Sequence, residues 1–272
     1  MLESQITELY NNPPTHYGEE HFQLFESFAT ALDQGNIRAC EKLAGTWKVN
    51  AWIKMGILAG FRMGRLAAFS EEGFFDKHTI GPRYFTLSDQ VRMVPGGSSA
   101  RRGCYLAPGV TVMPPAFINI GAYVDSGSMV DSHALVGSCA QIGKNVHLSA
   151  GAMIGGVLEP IGSRPVIIED EAFIGGNTGI YEGIIVGTRA VVASGTIITA
   201  STPIYDAVNM QYLPRDAGGS FSIPGSAVVV SGMRKLKSNN EFGIYCPIII
   251  KYRDAKTDVS VALEHELRHL LD

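Results

Sequence analysis

Charge is scarce in this chain. Asp, Glu, Lys and Arg make up 18% of its 272 residues and sum to a net charge of -4. Such a balance offers no basic field for a nucleic acid or an anionic membrane surface, and no partner of either kind is expected. Tryptophan is limited to two residues, and the four cysteines, Cys40, Cys104, Cys139 and Cys246, are widely scattered with no CxxC pair. That spacing excludes a thiolate zinc motif and a disulfide framework, so reduced thiols, no metal and a cytoplasmic location are expected. No apolar run reaches membrane-spanning length, and the first residues, MLESQITELY, are polar and acidic, which reads as no export signal.

What is present is a repeat. An aliphatic residue recurs every six positions at Leu106, Val112, Ile118, Val124, Val130, Val136, Ile142, Leu148 and Ile154, and the register resumes from Ile168 through Ile174, Ile180, Val186, Val192, Ile198 and Ile204. The position four later is usually small, as at Ala116, Ala122, Ser128, Ala134 and Ala140. Six residues are too few for a helix pair or a propeller blade but suit one short strand and a corner. Three units then close a triangular coil in which residues eighteen apart stack at roughly 4.8 Å. Asp131 is expected one coil from Ser149, and His133 one coil from Gly151. The reading is mainly β: a parallel β-helix over 101–235, with excursions near 155–165 and 205–223 and a last coil restarting at Val228.

The flanks differ in pattern. Residues 18–34 carry helical spacing through Phe22, Phe25, Phe28, Ala29 and Leu32 and stop at Gly35, a natural C-cap. Residues 37–49 read as a hairpin turning at Gly45, and Asn50 opens a second helix through Trp52, Ile53, Ile57 and Leu58. These belong to an N-terminal α/β domain over 1–100. Residues 236–272 form a C-terminal extension, with a strand over 244–252 and a helix over 260–271.

From Asn119 the chain reads NIGAYVDSGSMVDSHALVGSCAQIGKNVHLSAGAMIGGVLEP, then VIIEDEAFIG and DAKT, and upstream NIRACEKLAGTWKVNAWIK. These segments closely resemble the bacterial tetrahydrodipicolinate N-succinyltransferases, hexapeptide-repeat enzymes of lysine and diaminopimelate biosynthesis. The resemblance implies a left-handed coil, a homotrimer, succinyl-CoA as acyl donor and a small dicarboxylic amino acid as acceptor. That chemistry sets three tasks: removing a proton from the ammonium, donors for a tetrahedral oxyanion, and cations for the acceptor's carboxylates. By motif, Asp131 matches the catalytic or substrate-binding aspartate and Arg92 the substrate-binding arginine, whose guanidinium can fork onto a carboxylate. A carboxylate with a reference pKa of roughly 3.9 is a poor base, so Asp131 either is desolvated or orients the amine. Asp125 takes the equivalent place one unit earlier, where an aspartate simply caps a corner. His147 and His133 are weaker candidates for the base, although related acetyltransferases use a histidine. Backbone beside Ser149, Ala150, Gly151, Gly155 and Gly156 can line a groove for the pantetheine arm of the acyl-CoA, or serve as tight corners.

Four positions depart from the family's pattern. Asn177 stands where many members have arginine, Gly179 where they have a glutamate, and Pro203 where a basic residue is common; His133 replaces a tryptophan. Losing those cations favours a donor without a terminal carboxylate, such as acetyl-CoA, unless Arg189, Arg215 or a basic residue from a neighbouring chain substitutes. A paralogue similar to the acyltransferase of tabtoxin biosynthesis is one alternative, and a non-catalytic β-helix scaffold another. A hexapeptide carbonic anhydrase would need three histidines around zinc, and His133 and His147 lack a third.

Overall fold

The computed structural model describes residues 1–69, 73–216, 218–236 and 239–254. Helix α1 (Leu2–Asn11) packs on α2 (Glu19–Asp33) and α3 (Ala51–Met63). The apolar stripe of α2, Phe25, Phe28, Ala29 and Leu32, is buried as its spacing requires. Two glycines of α3 make the approach close: a Cβ on Gly56 would stand 2.5 Å from Cζ of Phe28, and one on Gly60 would strike the Phe25 ring. Strands β1 (Cys40–Leu43) and β2 (Thr46–Val49) form the expected hairpin, whose turn takes positive φ at Ala44 and Gly45.

The rest is a three-faced prism, a left-handed parallel β-helix. Each strand of a regular coil is two residues long, one pointing out and one in, and partners lie eighteen residues apart, as in Tyr105–Tyr123–Gln141. The first face stacks Tyr105–Leu106, Tyr123–Val124, Gln141–Ile142, Ile167–Ile168, Ile185–Val186 and Ser222–Ile223. On the second, Arg92–Met93, Thr111–Val112, Met129–Val130, His147–Leu148, Phe173–Ile174 and Val191–Val192 lead to Ala227–Val230. A third face holds Ser99–Ala100, Phe117–Ile118, Leu135–Val136, Met153–Ile154, Gly179–Ile180 and Ile197–Ile198. Every aliphatic of the repeat from Leu106 to Ile204 is buried in one continuous core. The first coil already begins at Arg92–Met93 and Ser99–Ala100, which pair with Thr111–Val112 and Phe117–Ile118, so the prism starts before residue 101.

Each edge of the prism carries a column of left-handed residues three positions after the inward aliphatic. Between the second and third faces these are His133, Gly151, Asn177 and Gly195, all with φ between 54 and 72. The N-terminal domain covers the first face. Arg38 lies 3.5 Å over the Tyr123 ring and donates from Nε to Gln141 Oε1 at 3.0 Å, and its core is continuous with Ile120 and Cys139 of the prism. From the hairpin, Lys42 Nζ and Trp47 Nε1 both reach Glu169 Oε1, at 2.7 and 2.8 Å. Past the last coil, the sequence's single strand over 244–252 divides at Cys246 and Pro247: Asn239–Tyr245 pairs with Met233–Leu236, while Ile248–Tyr252 runs antiparallel to Ala227–Val230. Proline has no amide to continue the ladder. The helix expected over 260–271 lies outside the described residues.

Candidate active site

Asp131 turns the corner from the second face to the third. Its amide donates to Leu148 O at 2.9 Å, which sets it one rung below Ser149. Of its two carboxylate oxygens, Oδ1 accepts from the Ser132 amide at 2.7 Å, and Oδ2 faces Nε2 of His147 at 3.6 Å. Asp125 caps Ser126 in the same way, at 2.8 Å. The corner cap is therefore common to both aspartates, and the imidazole is what distinguishes Asp131. His147 is buried, with its ring edge-on to Phe173 at 4.9 Å between centroids. Asp131 keeps 27% of its side chain exposed, so the pair has one wet and one dry member. Sequence reasoning ranked His147 only as a weaker candidate for the base. Its register partner, however, is Met129, two residues before Asp131.

Arg92 lies on the second face, two rungs from Met129 through Thr111. That spacing is about 10 Å, a distance an extended dicarboxylate can bridge and a direct ion pair cannot. Ser149, Ala150 and Gly151 form the next corner above Asp131, where Gly151 N donates to Ser132 O at 2.8 Å. Ala150 is exposed, and its amide donates to no group among the described residues. At the matching amides of Ile120, Ser126 and Ser132, the preceding Asn119, Asp125 or Asp131 side chain closes the bond.

Gly155 and Gly156 are on another edge. They sit where the third face turns to the first, a full face away from Asp131. There they line a groove of about 790 Å³ together with Trp47, Arg164, Tyr181 and Glu182. The Tyr181 ring covers two glycines: a Cβ on Gly155 would be 2.6 Å from its Cδ1, and one on Gly179 would be 2.5 Å from Cε2 and 2.9 Å from Oη. A side chain at 179 would therefore require the Tyr181 ring to move.

Asn177 is a left-handed corner residue on the Asp131 edge, with Oδ1 lying over Gly151. Asparagine tolerates that backbone through its short polar side chain. Of the possible substitute cations, Arg189 stands on the edge between the first and second faces, in the column with Asn145 and Glu171. Arg215 donates to Ala200 O and Gly219 O and stacks 4.5 Å over Phe221. Pro203 lies where the chain leaves the prism between Ile197–Ile198 and Ser222–Ile223, its carbonyl accepting from Cys246 Sγ at 3.2 Å. His133 occupies a left-handed corner, its amide donating to Pro115 O at 2.5 Å. Among the described residues no group of three His, Cys, Asp or Glu could hold a metal ion, and no helix is long and apolar enough to cross a membrane.

Known proteins bear on this geometry. The family model for the N-terminal region of tetrahydrodipicolinate N-succinyltransferase matches residues 1–63, and the model for the hexapeptide repeat of succinyl-transferase matches residues 165–200. A 2,3,4,5-tetrahydropyridine-2,6-dicarboxylate N-succinyltransferase of Rickettsia felis is 45% identical over 88% of this chain and 86% of its own. The chain belongs to the tetrahydrodipicolinate N-succinyltransferase family. The enzyme of the same name from Photorhabdus laumondii is 41% identical over 99% of both chains, and that of Paraburkholderia phymatum 45% over 87% and 86%. Alignment with these N-succinyltransferases therefore takes in both the N-terminal domain and the prism that carries Asp131.

Proposed function

We propose that this chain is an acyl-CoA-dependent N-acyltransferase that passes a succinyl group to the amine of tetrahydrodipicolinate in its open-chain form, a step of lysine and diaminopimelate synthesis. The observation that carries this reading is 41% identity with an N-succinyltransferase along 99% of both chains. In the reaction the acceptor's ammonium loses a proton and its nitrogen attacks the thioester carbon; the tetrahedral oxyanion then collapses and expels the CoA thiolate. Asp131 receives the ammonium at the corner, orients the nitrogen and takes its proton, with Oδ1 held by Ser132 and Oδ2 turned to His147. The open amide of Ala150, one rung above, supplies a donor for the oxyanion. Arg92 holds a carboxylate of the acceptor. The pantetheine arm follows the backbone of Ser149, Ala150 and Gly151, and the groove with Gly155 and Gly156 takes the remainder of the donor.

The protein works as a homotrimer in the cytoplasm, where a three-faced prism offers open second and third faces to its copies. Outward Phe117, Leu135, Met153 and Ile197 make the third face apolar, and all four cysteines are buried free thiols. Light scattering at micromolar concentration should report three copies. A monodisperse monomer that turns over substrate would overturn the assembly.

One observation favours a second donor. The Asp131 edge, from Met113 to Ala116 up through Ala193 to Thr196, contains no lysine or arginine. A terminal succinyl carboxylate buried there would lack a cation from this chain. Thiol release measured with succinyl-CoA and acetyl-CoA in parallel, on enzymatically generated tetrahydrodipicolinate, decides between the two. A preference for succinyl-CoA beyond tenfold, about 1.4 kcal/mol, supports succinyl transfer. Acetyl-CoA used equally well or better supports the altered donor. Release from neither overturns the enzymatic reading in favour of a scaffold.

A further inference from the structure

Among the described residues Lys54 is the one lysine or arginine that is fully buried, at 0% exposure. It belongs to α3, between the buried Ile53 and Ile57. Its Nζ donates to the carbonyl of Ser163 at 2.6 Å, a bond that spans 109 residues and ends in the excursion 155–165. Among the described residues no carboxylate pairs with it. The titratable groups that act on it are the Cys40 and Cys139 thiols, which burial pushes up to about 11 and about 12, so both are neutral at pH 7 and supply no counter-ion. Burying an ammonium with a single acceptor opposes folding, and a methionine of similar length would fit the same channel without that penalty. Core packing alone gives no reason for a lysine here.

The excursion gives one. Val157 N bonds Ser138 O at 3.1 Å at its start, and Arg164 grips Gly183 O with Nε and Nη2 at 2.9 and 2.7 Å at its end. Between those two points, the bond from Lys54 is the only hydrogen bond from the body of the protein to the excursion among the described residues. Leu158 adds an apolar contact with the N-terminal core. Gly156, Glu159 and Ser163 of this same stretch form a wall of the 790 Å³ groove. We infer that Lys54 is a positioning residue for the acyl donor: its amine holds the excursion in the shape that makes the groove. The inference rests on the groove's assignment to the donor under the function proposed above.

Amide hydrogen exchange and steady-state kinetics on the full chain test it with two variants. Lys54→Met keeps the stem and removes the donor; Lys54→Gln keeps a shorter donor. Lys54→Met should melt no lower than the parent, with amides of 157–163 exchanging at least tenfold faster and those of α3 unchanged. Its KM for acyl-CoA should rise at least fivefold with kcat within twofold, and Lys54→Gln should recover part of both losses. Unchanged exchange at 157–163 would overturn the clamp, and faster exchange with unchanged KM would overturn its link to the donor. Loss of the folded state in both variants would also overturn the assignment, because Lys54 would then be a core residue. A parent that releases no thiol from acyl-CoA sinks the proposed function instead, while the exchange comparison still decides the clamp.

Discussion

Asp125 and Asp131 each accept from the next amide, at 2.8 and 2.7 Å, and only the second meets an imidazole. The two therefore form a built-in control. An asparagine can keep either cap through its Oδ1, so Asp131→Asn should leave stability and assembly intact. It should lower kcat/KM by about 3 kcal/mol, more than a hundredfold, whereas Asp125→Asn stays within about threefold. Equal losses in steady-state assays of the two would reduce Asp131 to a corner cap. At Asn177 the same edge predicts a change in specificity. Asn177→Arg introduces a cation on an edge that has none and should shift the succinyl-CoA to acetyl-CoA ratio of kcat/KM upward. It should also cost about 1 kcal/mol of stability, because arginine is poorly suited to φ 54. A ratio unmoved by this variant would remove residue 177 from donor choice.

At the scale of elements, the coils were the most legible part of the sequence because most units repeat the same demand: an inward aliphatic, a left-handed corner, and usually a small inward residue. The hairpin and helices α2 and α3 followed from ordinary periodicity and caps. The site was less legible for two reasons. His147 meets Asp131 only because Met129 and His147 are neighbours across a coil, and a linear scan weighs His147 by its own strand alone. The six-residue step from Ser149 to Gly155 is one unit, not one coil, so grouping these residues in one groove overlooked what their spacing already said. The groove itself could not be read, since it depends on how an irregular excursion folds back. Its tightness is testable at Gly137, where a Cβ would stand 2.6 Å from the carbonyl carbon of Gly155 and would also meet the Gly156 amide. Gly137→Ala should lower the unfolding free energy by about 2 kcal/mol or more in urea titrations, since backbone cannot yield as a side-chain tip can. Gly195→Ala, with φ 72 and open space around it, should cost only the backbone preference, about 1 kcal/mol.

For the whole molecule, buried thiols set the alkaline limit. Burial pushes Cys104 and Cys139 up to about 12 from an ordinary value of 9.0, and the nearby Arg83 and Lys54 offset little of it. In the unfolded chain these thiols ionise above about pH 9, so the unfolded state releases protons that the fold retains. Stability contributed by the pair is full below pH 9 and falls as pH rises toward 12, by at most about 1.4 kcal/mol per thiol per pH unit. Lys54 works in the opposite sense: burial holds its amine below the ordinary 10.5, and stability rises as the pH climbs toward that value. The thiols outnumber it. Urea unfolding from pH 8 to 11 should show a net decline that flattens in Cys104→Ala, and a parent curve level across that range would contradict the sign.

The prism also behaves as a graduated scale. Arg92 pairs with Thr111 and Thr111 with Met129, so the interval from Arg92 to the Asp131 corner is a whole number of rungs. Removing 105–122 would seat Arg92 against Met129 and shorten that interval by one division, about 4.8 Å, with every inward aliphatic still in line. Intermediate lengths do not exist, because a shift of one residue turns the core outward. The span offered to an acceptor between its two ends is therefore set in counted steps, and a change of substrate length is a matter of integers rather than of small adjustments.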